Sequence, residues 1–261
     1  METGGNNSLT QFTEAFLSLN KPVFLAEAGS DFLYLLAIEK NTSKKAFCAL
    51  HQVSVLDELT RIASQKEIKA SIGKFYISTC NLKHTLIPTA IFEKEQSYNY
   101  LKLNCNVSAN DLVQYKNMDV FDAVSVYALE KNLAQIATAV YPGVELLSSA
   151  FVFASNGINN ISDSFSLYFY KNIFFVRYVK NHKMVFFNGF VYNSVSDAIY
   201  YILYCFDQLK LNCETEKIEI AGIESVLAQL SPEIKKYIKN IANTNKKEHH
   251  YLNLYNIEKC V

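Results

Sequence analysis

No stretch of this sequence is apolar for long enough to cross a membrane as a helix, which takes roughly 18–20 residues. The strongest candidate, residues 198–209, is shorter and is interrupted by Asp207. The opening residues, Met1-Glu2-Thr3-Gly4-Gly5-Asn6-Asn7, have no basic segment leading into an apolar one, so they do not read as a signal peptide. Net charge is missing too. The 25 Lys and Arg balance 25 Asp and Glu, which removes a global electrostatic case for nucleic acid or for an anionic membrane surface. The six cysteines (48, 80, 105, 205, 213 and 260) include no C-x-x-C pair and fall in or beside apolar segments. That pattern predicts free, mostly buried thiols in a reducing cytoplasm rather than a disulfide frame. No Ser, Cys or His stands in a recognisable nucleophile motif. Neither membrane insertion nor nucleic-acid binding is expected.

What is present is core material and a repeat. Half of the 261 residues are hydrophobic, with 17 Tyr and 18 Phe but no Trp, ample for one large domain or two compact lobes. Sliding the chain by 140 residues lays Lys40-Asn41 on Lys180-Asn181, Phe47 on Phe187, Ser54-Val55-x-Asp57 on Ser194-Val195-x-Asp197, and Ile62 on Ile202. This gives 7 identities over the 27 positions from 40 to 66. Shared helix-capping chemistry, Ser followed three residues on by Asp, accounts for part of the match. The order of elements also repeats.

In the first copy, Leu9–Leu19 reads as a helix with Phe12, Phe16 and Leu19 on one face. Strands follow at 23–28, 32–39 and 46–53, then a helix at 55–65 and a strand at 74–79. A helix over 89–100, strands at 112–118 and 123–129, a helix at 131–140 ended by Pro142-Gly143, and a helical stretch at 146–154 complete it. The second copy has strands at 165–170, 173–180 and 184–192, a helix at 195–209, a strand at 218–221, a helix at 232–241 and a last strand at 250–257. The predicted fold is mixed α/β: two ribonuclease-H-like lobes in tandem, the actin-like ATPase arrangement. The lobes are residues 1–157, with an insertion near 98–118, and residues 158–261. The polar stretch 155–163 marks the boundary.

That fold makes a chemical demand on any member that binds ATP. Phosphates rest on the turn between the first two strands of each copy, so those turns carry glycines with an acid nearby for magnesium. The first turn, Glu27-Ala28-Gly29-Ser30-Asp31, offers one glycine, a hydroxyl and two acids; ordinary hairpin turns use the same residue types. The second, Tyr168-Phe169-Tyr170-Lys171-Asn172, has no glycine and two bulky rings. After the fourth strand of the second copy stands a single glycine, Gly222. Nucleotide-binding candidates are therefore Glu27, Gly29, Ser30, Asp31, Lys171 and Gly222. His249-His250 has no ligand set at metal spacing and reads as solvated. The lysine pairs 44–45, 235–236 and 246–247 read as solvated faces. The Tyr200, Tyr201, Tyr204 and Phe206 cluster reads as core.

Phe186-Phe187-Asn188-Gly189-Phe190, Tyr192-Asn193-Ser194 and Asp197-Ala198-Ile199-Tyr200-Tyr201-Ile202-Leu203 resemble an uncharacterised Bacteroidetes family with an "FFN-x-F" strand and a "D-x-x-Y-Y" helix. Leu86-Ile87-Pro88 before Ile91-Phe92 and the terminal Cys260-Val261 extend the resemblance over most of the chain. It implies an actin-like ATPase fold in a domain of unknown function, and supplies no catalytic residue. The expected function is a non-catalytic cytoplasmic scaffold with a degenerate nucleotide site, binding a protein partner or itself and needing no cofactor or metal. The alternative is an ATPase using ATP with Mg through Glu27, Ser30 and Asp31. Nuclease action would need an acid cluster that Glu27 and Asp31 alone do not form. Partner contacts are expected in the insertion, at Tyr98, Tyr100 and Tyr115.

Overall fold

The structure, a computed structural model, describes residues 9–42, 44–155, 163–244 and 252–260. Helix α1 (Leu9–Leu17) buries Leu9, Phe12 and Phe16. Strands β1 (Val23–Ala28), β2 (Phe32–Ile38) and β3 (Lys45–His51) form an antiparallel meander. Helix α2 (Val55–Ser64) and a short α3 (Lys66–Ser71) then lead to β4 (Lys74–Thr79). Strand β4 pairs parallel with β1, Val23 opposite Lys74 through Ala28 opposite Thr79. The next segment builds a small antiparallel sheet from β5 (His84–Pro88), helix α4 (Ser97–Asn104), β6 (Asp111–Met118) and β7 (Ala123–Glu130). Helix α5 (Lys131–Val140), strand β8 (Glu145–Ser148) and helix α6 (Ser149–Ser155) follow.

The second copy runs β9 (Ser164–Phe169), β10 (Ile173–Lys180), β11 (Lys183–Val191), α7 (Val195–Gln208), β12 (Lys217–Gly222), α8 (Glu224–Ile234) and β13 (Asn240–Asn243). Helix α9 (Leu252–Asn256) and a 3-10 turn end the described chain. The large sheets have orders β3-β2-β1-β4-β8 and β11-β10-β9-β12-β13. In each, three antiparallel strands are extended by two parallel ones. The repeat seen in the sequence is thus a repeat of topology, and the fold class is mixed α/β as expected.

Compact packing divides the chain into Met1–Val152 with Leu254–Val261, and Phe153–Asn253. The last eight residues therefore group with the first unit, where the sequence reading kept them in the second. Much of the stretch 155–163 lies outside the described residues. The insertion is larger than 98–118: it is the β5–β7–β6 sheet with α4, spanning residues 84–130. Its core is Leu101, Val107, Val124, Val126 and Ala128.

Four more elements differ from expectation. The helix expected over 89–100 becomes two 3-10 turns and α4. Residues 145–148 are a strand, because β4 offers a parallel partner, Tyr76 opposite Glu145. The helix expected at 232–241 ends at Ile234, and β13 pairs parallel with β12. The expected strand at 250–257 is helical over 252–256.

Each unit has its own aromatic core. In the first, Phe24 stacks on Phe75 with ring centroids 4.7 Å apart, and Phe16 meets Phe24 edge-on at 5.3 Å. In the second, Phe165 meets Phe206 edge-on at 4.9 Å, and Phe169 stacks on Phe174 at 5.1 Å. Burying each such ring contributes about 1.5–3 kcal/mol. Arg177 on β10 is buried and donates to the carbonyls of Phe153 and Ala154, both at 3.2 Å. A cation suits these carbonyls, which close the last turn of α6.

Candidate functional site

In the first unit the candidate residues stand together at the end of β1. Glu27 is fully buried and accepts from the Ser149 hydroxyl at 2.8 Å. Ser149 Oγ also lies 3.3 Å from Ser78 Oγ. Parallel pairing causes this: Glu27 lies opposite Ser78 on β4, and β8 runs into Ser149 at the start of α6. Burial and the neighbouring Glu27 charge push the Cys80 thiol well above its ordinary pKa, so it is no nucleophile. Gly29 donates its N–H to Phe32 O at 2.9 Å, closing the hairpin. A Cβ on Gly29 would lie 2.0 Å from Phe32 Cε1, so the ring packed against it leaves no room for a side chain unless the ring shifts. Ser30 is exposed and its hydroxyl lies 3.5 Å from Asp31 Oδ1. The Asp31 carbonyl accepts from Val53 N at 3.1 Å.

Sequence reasoning named Glu27, Gly29, Ser30 and Asp31 but missed Ser78 and Ser149. They are 71 residues apart and meet only through the β1–β4–β8 pairing, for which no local signal exists.

In the second unit the equivalent turn is filled by side chains. Tyr170 is buried and donates its N–H to Ile173 O at 2.9 Å, while its carbonyl accepts from the Tyr192 hydroxyl at 2.5 Å. Its own hydroxyl accepts from Asn253 Nδ2 at 2.8 Å, and the Tyr168 hydroxyl accepts from Asn253 N at 3.2 Å. Burial pushes the Tyr192 hydroxyl up in pKa, keeping it a neutral donor. Lys171 is exposed at the tip. Gly222, opposite Phe169, has φ +136°, and a Cβ there would lie 2.1 Å from Phe169 O. Both the backbone angle and the close approach of β9 demand glycine.

Of the three tyrosines expected to meet a partner, Tyr98 is 45% exposed. Tyr100 is tied down: its hydroxyl donates to Ile91 O at 2.7 Å and accepts from Glu93 N at 3.2 Å. Tyr115 packs against Phe92, centroids 5.2 Å apart. Ile91, Leu103 and Val120 are more exposed than any of these rings. In the Tyr200–Phe206 cluster only Phe206 is core; Tyr200 and Tyr204 are exposed, against expectation. His249-His250 and Lys246-Lys247 lie outside the described residues. Among the described residues no three His, Cys, Asp or Glu side chains gather as a metal site, and no helix is long and apolar enough to cross a membrane. Cys48, Cys80, Cys105, Cys205 and Cys213 are free thiols.

With this geometry in view, residues 28–241 match the family described as Protein of unknown function, DUF3822. The chain belongs to this family. No curated protein sequence matches it. Among solved structures it is similar to a Bacteroides thetaiotaomicron VPI-5482 protein with actin-like ATPase fold and unknown function. The TM-score is 0.81 at 18% identity, covering 96% of this chain and 98% of that one. It is also similar to the PilM-PilN type IV pilus biogenesis complex, at TM-score 0.55 and 10% identity over 90% of this chain and 97% of that one. A third likeness is to the ethanolamine utilization protein EutJ from Carboxydothermus hydrogenoformans, at TM-score 0.51 and 10% identity over 91% and 88%. These likenesses show that this chain has the actin-like ATPase fold.

Proposed function

We propose that this protein is a non-catalytic cytoplasmic scaffold on the actin-like fold, which binds a protein partner or another copy of itself and has a degenerate nucleotide site. One observation carries the reading. Both candidate glycines are accounted for by the protein's own packing, Gly29 under the Phe32 ring and Gly222 against the Phe169 backbone. Neither needs a phosphate to explain it, and Tyr170 stands in the second unit where Gly29 stands in the first. Free cysteines fit a reducing compartment. Exposed Ile91, Tyr98 and Leu103 around α4 offer apolar surface of the kind partners cover. A protein of this fold occurs in the PilM-PilN complex.

The exposed Ser30 hydroxyl and the half-buried Asp31 acid favour a second reading, an ATPase holding ATP with Mg from the first unit. A thermal melt with millimolar Mg-ATP separates the two. The scaffold predicts an unchanged midpoint. A rise of several degrees, worth roughly 1–2 kcal/mol of binding linkage and abolished by Asp31→Ala, replaces it with the ATPase.

A further inference from the structure

The duplication provides an internal control for surface residues. The 140-residue offset that aligns Ser54 with Ser194 also aligns Thr60 with Tyr200, Arg61 with Tyr201 and Ser64 with Tyr204. All three α2 residues are exposed and polar, so the fold itself does not require rings at these places. On α7, Tyr200 is 63% and Tyr204 49% exposed, with rings stacked at 6.3 Å and 18°. Tyr201 stacks on Phe190 of β11 at 4.9 Å, which joins this face of α7 to the edge of the sheet. In the first unit the edge strand β3 ends in Lys45 and His51 and has α1 packed against it. Strand β11 likewise opens on a lysine, Lys183, but past it reads Met-Val-Phe-Phe-Asn-Gly-Phe-Val from 184 to 191, with no ionisable side chain.

We infer that β11 and the α7 tyrosines form the contact surface for a second copy of this chain, two β11 edges pairing antiparallel about a two-fold axis. Tyr192 donates its N–H toward β10, to Asn172 O, so by the alternation of an antiparallel ladder the Gly189 and Val191 amides point away from β10. A two-fold perpendicular to the sheet keeps both α7 helices on one face, so Tyr200 and Tyr204 meet their counterparts. Each sheet has a single β11 edge, so the assembly closes at two copies. Residues 184–191, Tyr200 and Tyr204 are uncharged, with Lys183, Asp197 and Asp207 at their margins, and a chain of zero net charge does not repel its own copy.

Area sets the geometry. Tyr200, Tyr204, Val185 and Val191, each about half exposed, offer on the order of 400 Å² per copy, against ~800 Å² in a standard interface. The tyrosines alone are too little, and strand pairing must contribute the rest. Two features restrain the edge. The register shifts between Tyr178 and Val179, leaving Val185 as the extra residue of a bulge, and Asn188 Oδ1 accepts from Gly189 N at 2.9 Å. The regular edge is therefore 186–191, and the partner's carbonyl takes the Gly189 N–H from Asn188.

The inference takes from the scaffold reading only that the partner is protein. Sedimentation velocity of the full chain, up to on the order of 200 µM, should show a reversible monomer–dimer equilibrium. Tyr200→Ser with Tyr204→Ser should weaken it about tenfold or more without lowering the melting midpoint, and Asn188→Ala should strengthen it. Amide exchange at Gly189 and Val191 should slow as concentration rises. A chain that stays monomeric throughout, or a dimer indifferent to both variants, overturns the proposal. Neither result touches the nucleotide test of the scaffold reading.

Discussion

The turns β1–β2 and β9–β10 make the same hydrogen bond with opposite residues. In one, Gly29 N–H donates to Phe32 O; in the other, Tyr170 N–H donates to Ile173 O, both at 2.9 Å. The large and small members have changed places. The hairpin backbone therefore does not itself demand glycine at this position, and Gly29 has no positive φ. Glycine is there because Phe32 is large; where the partner is Ile173, a tyrosine fits. A glycine in a turn on an actin-like fold invites a phosphate, but this pair shows that it follows from the packing of one ring. Gly222 differs in kind, since both its angle and its neighbour, a backbone carbonyl, exclude a side chain.

The largest expected effect follows from that difference. Gly222→Ala must strain the backbone or separate β12 from β9, and should cost about 3–5 kcal/mol in denaturant unfolding. Gly29→Ala asks only a ring to move and should cost about 1–2 kcal/mol. Adding Phe32→Ile should return much of the Gly29→Ala loss, because it recreates the second unit's pairing. A double-mutant cycle reads the coupling directly. Additive effects would break the explanation of Gly29.

A smaller effect belongs to the β5–β7–β6 sheet, for which the second unit has no counterpart. Burial pulls the His84 imidazole down to about 3, and its Nε2 lies 2.9 Å from Ser125 Oγ. The unfolded chain binds a proton on His84 below about 6.5, while the folded chain does not. Stability is therefore full above pH 6.5 and falls as pH drops toward 3, by about 1 kcal/mol between pH 6.5 and 5.5 for this one group. Burial raises the nearby Asp111 pKa, but hydrogen bonds from Lys83 and Ser108 outweigh it and hold the net value below 3.8, so it does not titrate in this window. Chemical denaturation at both pH values, with and without His84→Gln, checks the slope; the variant should flatten it.

What could be read from the sequence follows the range of the interactions. Both β-β-β-α-β units were legible, since strands such as Phe32–Ile38 are apolar throughout and each following helix opens with Ser-Val-x-Asp. Strand β5 was not: Pro88 and His84 break its pattern, and only pairing with β7 makes it a strand. Strands β8 and β13 have four residues each and exist because β4 and β12 offer a parallel edge. Pro232 looked like the start of a helix but lies inside α8, near its end. At the candidate site, Glu27 and Gly29 were visible but their reasons were not. Ser149 and Phe32 supply those reasons, and no pattern around Glu27 or Gly29 announces either contact.

The finest comparison is between the two helix caps that revealed the repeat. Ser194 accepts from Asp197 N at 3.1 Å, and Asp197 Oδ2 accepts in return from Ser194 N at 3.1 Å and Asn193 N at 3.0 Å, a complete capping box. Ser54 accepts from Asp57 N at 3.5 Å, the outer limit of such a bond, and α2 has no reciprocal box. The same three letters therefore have different energetic weight. Ser194→Ala should cost about 1 kcal/mol and Ser54→Ala about half of that, measured as shifts in denaturant midpoint at constant slope. Asp197→Asn should lose part of the Ser194 effect through weaker acceptance and a lost charge at the helix start, whereas Asp57→Asn should lose only the smaller charge contribution. Equal costs at the two serines would mean that the caps are equivalent in solution and that the repeat extends to hydrogen-bond geometry as well as topology.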